Sequence, residues 1–388
     1  MCSPPACNSI PPENQARSTP TGGKRGLARR GRSAVLCAAA AWIAAQLVFS
    51  VAVDYWFLEL RDPEFANKLS RLRCRCAEFP TRPKIVVLGS SRSDYGVCPG
   101  EMAYLPGALD QPPLVFNFAM LGAGPITEAT MLRQLLSWDV RPDGLLVELN
   151  AVLLHQTPQF KEENWLHAER LGWPGLQTLQ RYSSHPWLAG WRWLRARLAP
   201  CYCSRHSLLA RFAPRWVEPS FRQDRRTPPD EDGWLEHEPA QVTAAERKRR
   251  VKLQLEYYAK PLEDFSVSPN SDAALREMLA VCRQRGIAVA LLIMPESSAL
   301  SNARGVDAAR RFESYVTALS CEYSVPLFDA RGWTQDSDFA DAEHLLPASA
   351  KRFSRRLCDS TALFAIRTGR GAMAVEHIAG KPSASKTR

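Results

Sequence analysis

Residues 34 to 53, AVLCAAAAWIAAQLVFSVAV, constrain this chain most: from Ala34 to Val53 the only strongly polar side chain is Gln46. At about 1.5 Å of rise per residue, a helix of that length reaches roughly the 30 Å of a bilayer's hydrocarbon. One membrane crossing fits. Lys24, Arg25, Arg29, Arg30 and Arg32 precede the run, and Asp54, Glu59, Asp62 and Glu64 follow it. That asymmetry predicts a single-pass protein with a cytoplasmic N-terminus and residues 54 to 388 outside the cytoplasm, on the periplasmic side. A cleaved signal peptide and a buried helix of a soluble protein are the competing accounts. The tail before the run is long for a signal peptide, and the run exceeds the usual core of about 7 to 15 residues.

Composition separates the rest of the chain. Residues 1 to 33 carry Pro4, Pro5, Pro11, Pro12 and Pro20 among Gly, Ser and Asn, too few apolar groups to repay ordering, and read as a disordered tail. The whole chain of 388 residues is nevertheless 45% hydrophobic, enough for a sizeable core. Its net charge of +10 lacks the zinc-finger spacing or aromatic-interleaved basic stripe of a nucleic-acid binder. An anionic lipid surface accounts for it more simply, and no nucleic-acid partner is expected. Eight of the eleven cysteines lie beyond the apolar run, a number that permits disulfides outside the cytoplasm. Cys74-x-Cys76 and Cys201-x-Cys203 fix no pairing, and their spacing is too short for the usual metal site, so no metal and no cofactor is expected.

After a polar, charged connector or short helix over residues 54 to 83, short apolar runs recur: KIVVLG (84 to 89), PLVFNFAM (113 to 120), GLLVELN (144 to 150), IAVALLIMP (287 to 295) and VPLFDA (325 to 330). Runs without alternation, separated by helical patterns such as 127 to 138, 271 to 285 and 307 to 319, are what a parallel sheet covered on both faces requires. The expected fold is three-layered α/β with a doubly wound parallel sheet over residues 84 to 360, ligands binding at the carboxyl ends of the strands. Residues 151 to 270 are too long for a plain crossover and hold seven of the eleven tryptophans. They read as a helical and irregular insertion, with a helix predicted over 244 to 260. Residues 361 to 388 form a C-terminal extension with a loose end.

Two stretches could carry chemistry. In IVVLGSSRSDYGV (85 to 97), Ser90 or Ser91 ends the first strand, where a helix N-terminus can stabilise developing negative charge. In DAEHLLPASAKRFS (341 to 354), Asp341 and His344 lie three residues apart, close enough for the carboxylate to orient the imidazole. Taken alone, Asp-x-x-His reads as a surface pair and the serine as a turn residue capping the next helix. Because His344 follows the last predicted strand, the fold could bring it to the serine as a base. Arg92 could face an anionic substrate group or pair with Asp94. His155, His167, His185, His206 and His237 fall in the insertion without metal-site spacing and read as surface or packing residues.

These pieces, in this order, resemble the SGNH (GDSL-like) esterase and acyltransferase superfamily, nearer its membrane-anchored branch of D-alanine transfer and polysaccharide O-acetylation proteins. The branch often carries Gly-Ser-Ser in its first block, matched by residues 89 to 91, which implies Ser91 as nucleophile. NFAMLG (117 to 122) keeps the Asn and the last Gly of the second block, implying the Gly122 N–H as an oxyanion donor beside that of Ser91; Ala119 replaces the earlier glycine. Asp341 and His344 match the final block. The Gly-x-Asn-Asp of the third block is absent, and VELNAVL offers Asn150 as a shifted third donor.

The resemblance implies an SGNH or flavodoxin-like sheet and an extracytoplasmic serine esterase or O-acyltransferase. It would act on an acyl ester of a cell-envelope glycan or lipid-linked product, with a membrane protein that donates acyl groups as a further candidate partner. The alternative is a non-catalytic glycan-binding or scaffold module, which requires Ser91 to lie beyond hydrogen-bond reach of His344.

Overall fold

All five apolar runs become strands of one sheet. In a computed structural model, which describes residues 23–102, 112–155, 161–218, 228–237 and 241–368, these are β1 (Lys84–Leu88), β2 (Leu114–Asn117), β3 (Gly144–Glu148), β4 (Ala288–Ile293) and β5 (Leu327–Asp329). They pair in the order β2-β1-β3-β4-β5, every pair parallel, with Val86 opposite both Phe116 and Leu145. The chain leaves β1 toward one edge and returns on its other side. The carboxyl ends of β1 and β3 therefore flank the crevice that such a reversal opens.

Over β1 to β4 both sheet faces are buried, which is why those runs do not alternate, while the edge strand β5 is only partly covered. Val86, Leu88, Leu145, Val147 and Leu291 point into one core layer. There they meet α3 (Pro63–Glu78), α5 (Pro125–Ser137), α12 (Pro269–Arg285) and α14 (Val306–Tyr323) through Phe65, Ile126, Leu135, Leu279 and Phe312. Ile85, Val87, Leu146, Ala290 and Leu292 point into the other layer. Its partners are Val97, just beyond α4 (Ser91–Gly96), and Phe353 and Leu357 of α15 (Pro347–Thr368).

Local chemistry sets the helix ends. The Asp62 carboxylate accepts from the Phe65 N–H at 3.2 Å and Pro63 opens α3, while α12 stops at Gly286, whose φ of 68° closes the last turn in the left-handed region. Buried Glu162 accepts from the N–H groups of Gly124, Ile126 and Thr127 at 3.0, 3.1 and 2.7 Å, a carboxylate at the positive end of α5.

The apolar N-terminal run lies in α1 (Gly23–Tyr55), whose stretch Arg32–Tyr55 is long and apolar enough for a single membrane-spanning segment. This helix starts at Gly23, inside the stretch expected to be a disordered tail; residues 1–22 of that tail and 369–388 of the extension lie outside the described residues. The connector is helical, the second of the two forms expected of it. It forms α2 (Leu58–Arg61) and α3, and α3 buries Phe65, Leu69 and Leu72 in the main core while carrying Lys68 inward.

The insertion is helical: α6 (Ala151–His155), α7 (Trp173–Tyr182), α8 (Pro186–Leu198), α9 (Pro200–Cys203), α10 (Arg205–Phe212) and α11 (Ala244–Glu263). A short α13 (Ser298–Ala303) follows β4. Its α7 packs on α5, whereas α8 and α9 pack on α1.

Candidate active site

The turn after β1 is held by a carboxylate from β3. Glu148, 3% exposed, accepts from Ser90 N at 2.8 Å, Ser90 Oγ at 2.7 Å, Ser93 N at 3.3 Å and Ser93 Oγ at 2.6 Å. Gly89 makes room for this, since a Cβ there would come within 2.6 Å of both Glu148 Oε2 and Ser93 Oγ. Ser90 also caps α4, its hydroxyl accepting from Arg92 N at 3.2 Å. Ser90 is thus committed to the scaffold, and Ser91 is the serine that the turn presents.

Ser91 Oγ lies 2.8 Å from His344 Nε2, across 253 residues of sequence, and His344 Nδ1 lies 2.7 Å from Asp341 Oδ2. The other Asp341 oxygen accepts from the backbone N–H groups of Glu343 and His344 at 2.9 and 2.8 Å, so the carboxylate is oriented by its own turn. An acceptor-only carboxylate on Nδ1 keeps the proton there and leaves the Nε2 lone pair facing the serine hydroxyl. Burial pushes the His344 pKa down, but the hydrogen bond and charge of Asp341 and the charge of Glu343 outweigh it, so it sits above the usual histidine value. Burial alone would raise Asp341; its bonds to His344 and to the backbone instead hold it down at about 2.

Loops after the neighbouring strands run beside this turn. Phe118 N donates to Val87 O and Met120 N to Gly89 O, both at 2.9 Å, carrying the chain past the serines to Gly122. Gly122 has a φ of 69°, and a Cβ there would press on the Trp165 ring at 3.1 Å. Buried Asn117 ties this loop to α4. Its Nδ2 donates to Ser93 O at 2.8 Å and Val97 O at 2.7 Å, and its Oδ1 accepts from Ala119 N at 3.0 Å. At the end of β3, Asn150 Oδ1 accepts from Val152 N at 3.0 Å, which occupies the oxygen side of the amide and leaves Nδ2 as its donor side.

Arg92 does not face a substrate or Asp94. It is 2% exposed and donates to the carbonyls of Met294 and Pro295 at 3.0 and 2.7 Å, with Glu296 and Glu343 at 3.6 and 3.8 Å. Its guanidinium is thus spent on the carbonyls and carboxylates that surround it. Asp94 instead pairs with Lys68 at 2.5 Å, and Lys68 also donates to Ala119 O at 2.6 Å. Burial of Asp94, opposed by Lys68, brings its pKa to about 6.

Sequence reasoning missed the supports. Lys68 was hidden in the supposed connector, and Glu148 sat within an apolar strand, where a charged residue next to the strand end was the available signal. Glu343 lies between the paired residues of the Asp-x-x-His motif; it accepts from Tyr258 Oη at 2.5 Å and Gln254 Nε2 at 2.6 Å, bracing the histidine loop against α11. His237, a surface or packing residue by sequence, packs at the site: its ring lies 5.6 Å from that of His344 and 4.6 Å from Tyr95, itself 5.4 Å from His344. Only the fold brings it there. His237, Asp341 and His344 each offer one ligand atom within 4.8 Å of the others, a set close enough to hold a cation. The nine described cysteines form no disulfide with one another.

A groove of about 1470 Å³ is lined by Tyr95, Leu121 and His237 together with Ser50, Val53 and Asp54 at the last turns of α1; Ser91, Asp341 and His344 do not line it. No protein-family model matches the chain, and no curated protein matches it.

Proposed function

We propose that this protein is an SGNH-like serine esterase or O-acyltransferase, anchored by α1, that acts outside the cytoplasm on an acyl ester of a cell-envelope glycan or lipid-linked product. The carrying observation is the hydrogen-bonded run Ser91–His344–Asp341 at the carboxyl edge of a parallel sheet. A module that only bound glycan would have no need of a 2.8 Å contact between Ser91 and an imidazole whose other nitrogen is held by a carboxylate.

His344 Nε2 takes the Ser91 proton as Oγ attacks the ester carbonyl. The N–H groups of Ser91 and Gly122 and the Nδ2 of Asn150 hold the oxyanion. The carbonyl–oxygen bond to the leaving alcohol then breaks, and His344 returns the proton to that alcohol. Water or a sugar hydroxyl attacks the acyl-enzyme by the same route in reverse. Asp341 stays ionised throughout and stabilises the imidazolium. Tyr95 and His237, whose rings lie beside His344, line a groove that also takes in the last turns of α1, which supports a substrate or acyl-donor protein approaching along the membrane.

The test is a pre-steady-state burst with a chromogenic acetyl ester on the full chain in detergent. A stoichiometric burst that disappears in Ser91→Ala and His344→Ala supports acyl-enzyme chemistry; identical traces from all three proteins reject it for that ester class.

A further inference from the structure

Beyond the single anchor, we propose that α8 and the segment following it form a second membrane-binding surface, a collar lying in the outer face of the bilayer that α1 crosses. This rests on the reading of α1 as a membrane span.

α8 carries two unlike faces. Trp187, Trp191, Leu194 and Leu198 recur at helical spacing on one side of it and are 71, 54, 42 and 55% exposed. Ala189 and Ala196, on the opposite side, are buried. Arg192 and Arg195 stand at the flanks. A helix that packs one face and leaves an apolar, tryptophan-rich stripe on the other, with arginines between, has the pattern of an interfacial helix. The continuation is similar: Tyr202, Phe212 and Trp216 are 64, 76 and 82% exposed, with Arg205, Arg211 and Arg215 among them.

The position of this surface selects lipid as its occupant. α8 and α9 pack along the last turns of α1 on a stripe of Gln46, Ser50 and Val53, which are the buried residues of a helix otherwise largely exposed. Arg197 donates to Asp54 at 3.0 Å, and Gln46 donates to Cys201 Sγ at 3.4 Å. Asp54 is the first charged residue after the apolar run, and Gln46 lies eight residues before it, about 12 Å deeper along a helix. A protein surface bonded to α1 at both depths enters the membrane with it. Tyr55, Trp56 and Phe57, at 71, 71 and 43% exposure, continue the aromatic belt on the anchor itself.

The experiment places the full chain in nanodiscs of phosphatidylcholine and phosphatidylglycerol and reads tryptophan emission with brominated lipids and, separately, aqueous iodide. The comparison is wild type against Trp187→Phe/Trp191→Phe, which keeps an aromatic ring at both positions, with Trp216→Phe as an independent second variant. Of five exposed tryptophans assigned to the bilayer (Trp42, Trp56, Trp187, Trp191, Trp216), the double variant removes two, so about two-fifths of the bromolipid-quenchable emission should be lost while the iodide-quenchable share holds. Trp216→Phe should remove about one-fifth. Loss from the iodide share instead would put the stripe in water. Loss from neither would mean that a second copy or another protein covers it, and either result overturns the collar. Flotation with vesicles after an alkaline wash tests α1 separately, because a failed collar leaves that retention intact.

Discussion

Replacing Asp341 by asparagine should disable Ser91 without disturbing the fold around it, and the hydrogen bonds dictate how. Asp341 Oδ1 accepts from two backbone N–H groups, at 2.9 and 2.8 Å, which an amide NH₂ cannot do. The oxygen of the substituted side chain is therefore retained by the backbone, and its NH₂ turns toward His344 Nδ1. Nδ1 then becomes the acceptor, the ring proton moves to Nε2, and Nε2 can no longer accept from Ser91 Oγ at 2.8 Å. A wrong tautomer of this kind costs about 10⁴-fold in turnover in a serine hydrolase. That corresponds to roughly 5 kcal/mol in the barrier. The charge that lifts the His344 pKa disappears as well, so burial dominates and the pKa falls below the usual histidine value. The assay is single-turnover acylation of the full chain by the chromogenic ester across pH, with Ser91→Ala as background and thermal unfolding as the fold control. Acylation within tenfold of wild type, with an unchanged pH midpoint, would refute the assigned roles of Asp341 and His344.

On the proposed mechanism His344 serves as base only when neutral, and its pKa is raised, so kcat/KM should rise through an acid limb whose midpoint lies above pH 6.5; a limb at or below 6.5 would contradict the Asp341 contact. Lys68→Met would leave the Asp94 carboxylate buried without its cation, a loss of about 3–5 kcal/mol by urea unfolding, and Lys68→Met/Asp94→Asn should recover part of it. Additive losses in that pair would mean that the ion pair is not coupled. Glu148→Ala strands the N–H and O–H donors of Ser90 and Ser93, so unfolding should become easier by about 2–4 kcal/mol and Ser91 labelling should slow; normal labelling would show that the turn holds its shape without β3.

Periodicity and length alone fixed much of this protein. Strands buried on both faces cannot alternate, so the five apolar runs announced a parallel sheet, and the Ala34 to Val53 run announced a helix long enough to span a bilayer. A serine at the end of β1 and the three-residue spacing of Asp341 and His344 were legible as local patterns, whereas the choice of Ser91 over Ser90 came from the family resemblance and from the bonds that tie Ser90 to Glu148. Residues that act through long-range burial carried no such signal. Arg92 could be seen beside the serine but not turned inward to the Met294 and Pro295 carbonyls. Lys68 could be seen as a charge in a polar stretch but not as the partner of Asp94, and His237 as one more histidine in an insertion but not as a neighbour of His344. A side chain's charge and size are written in the chain, while its desolvation and partners exist only after distant segments have closed around it. The sequence by itself determined the strands, the long apolar helix and the chemical groups on offer; tertiary structure decided which of them meet, because that depends on how the sheet reverses at β1 and on which helices fold back over its carboxyl edge.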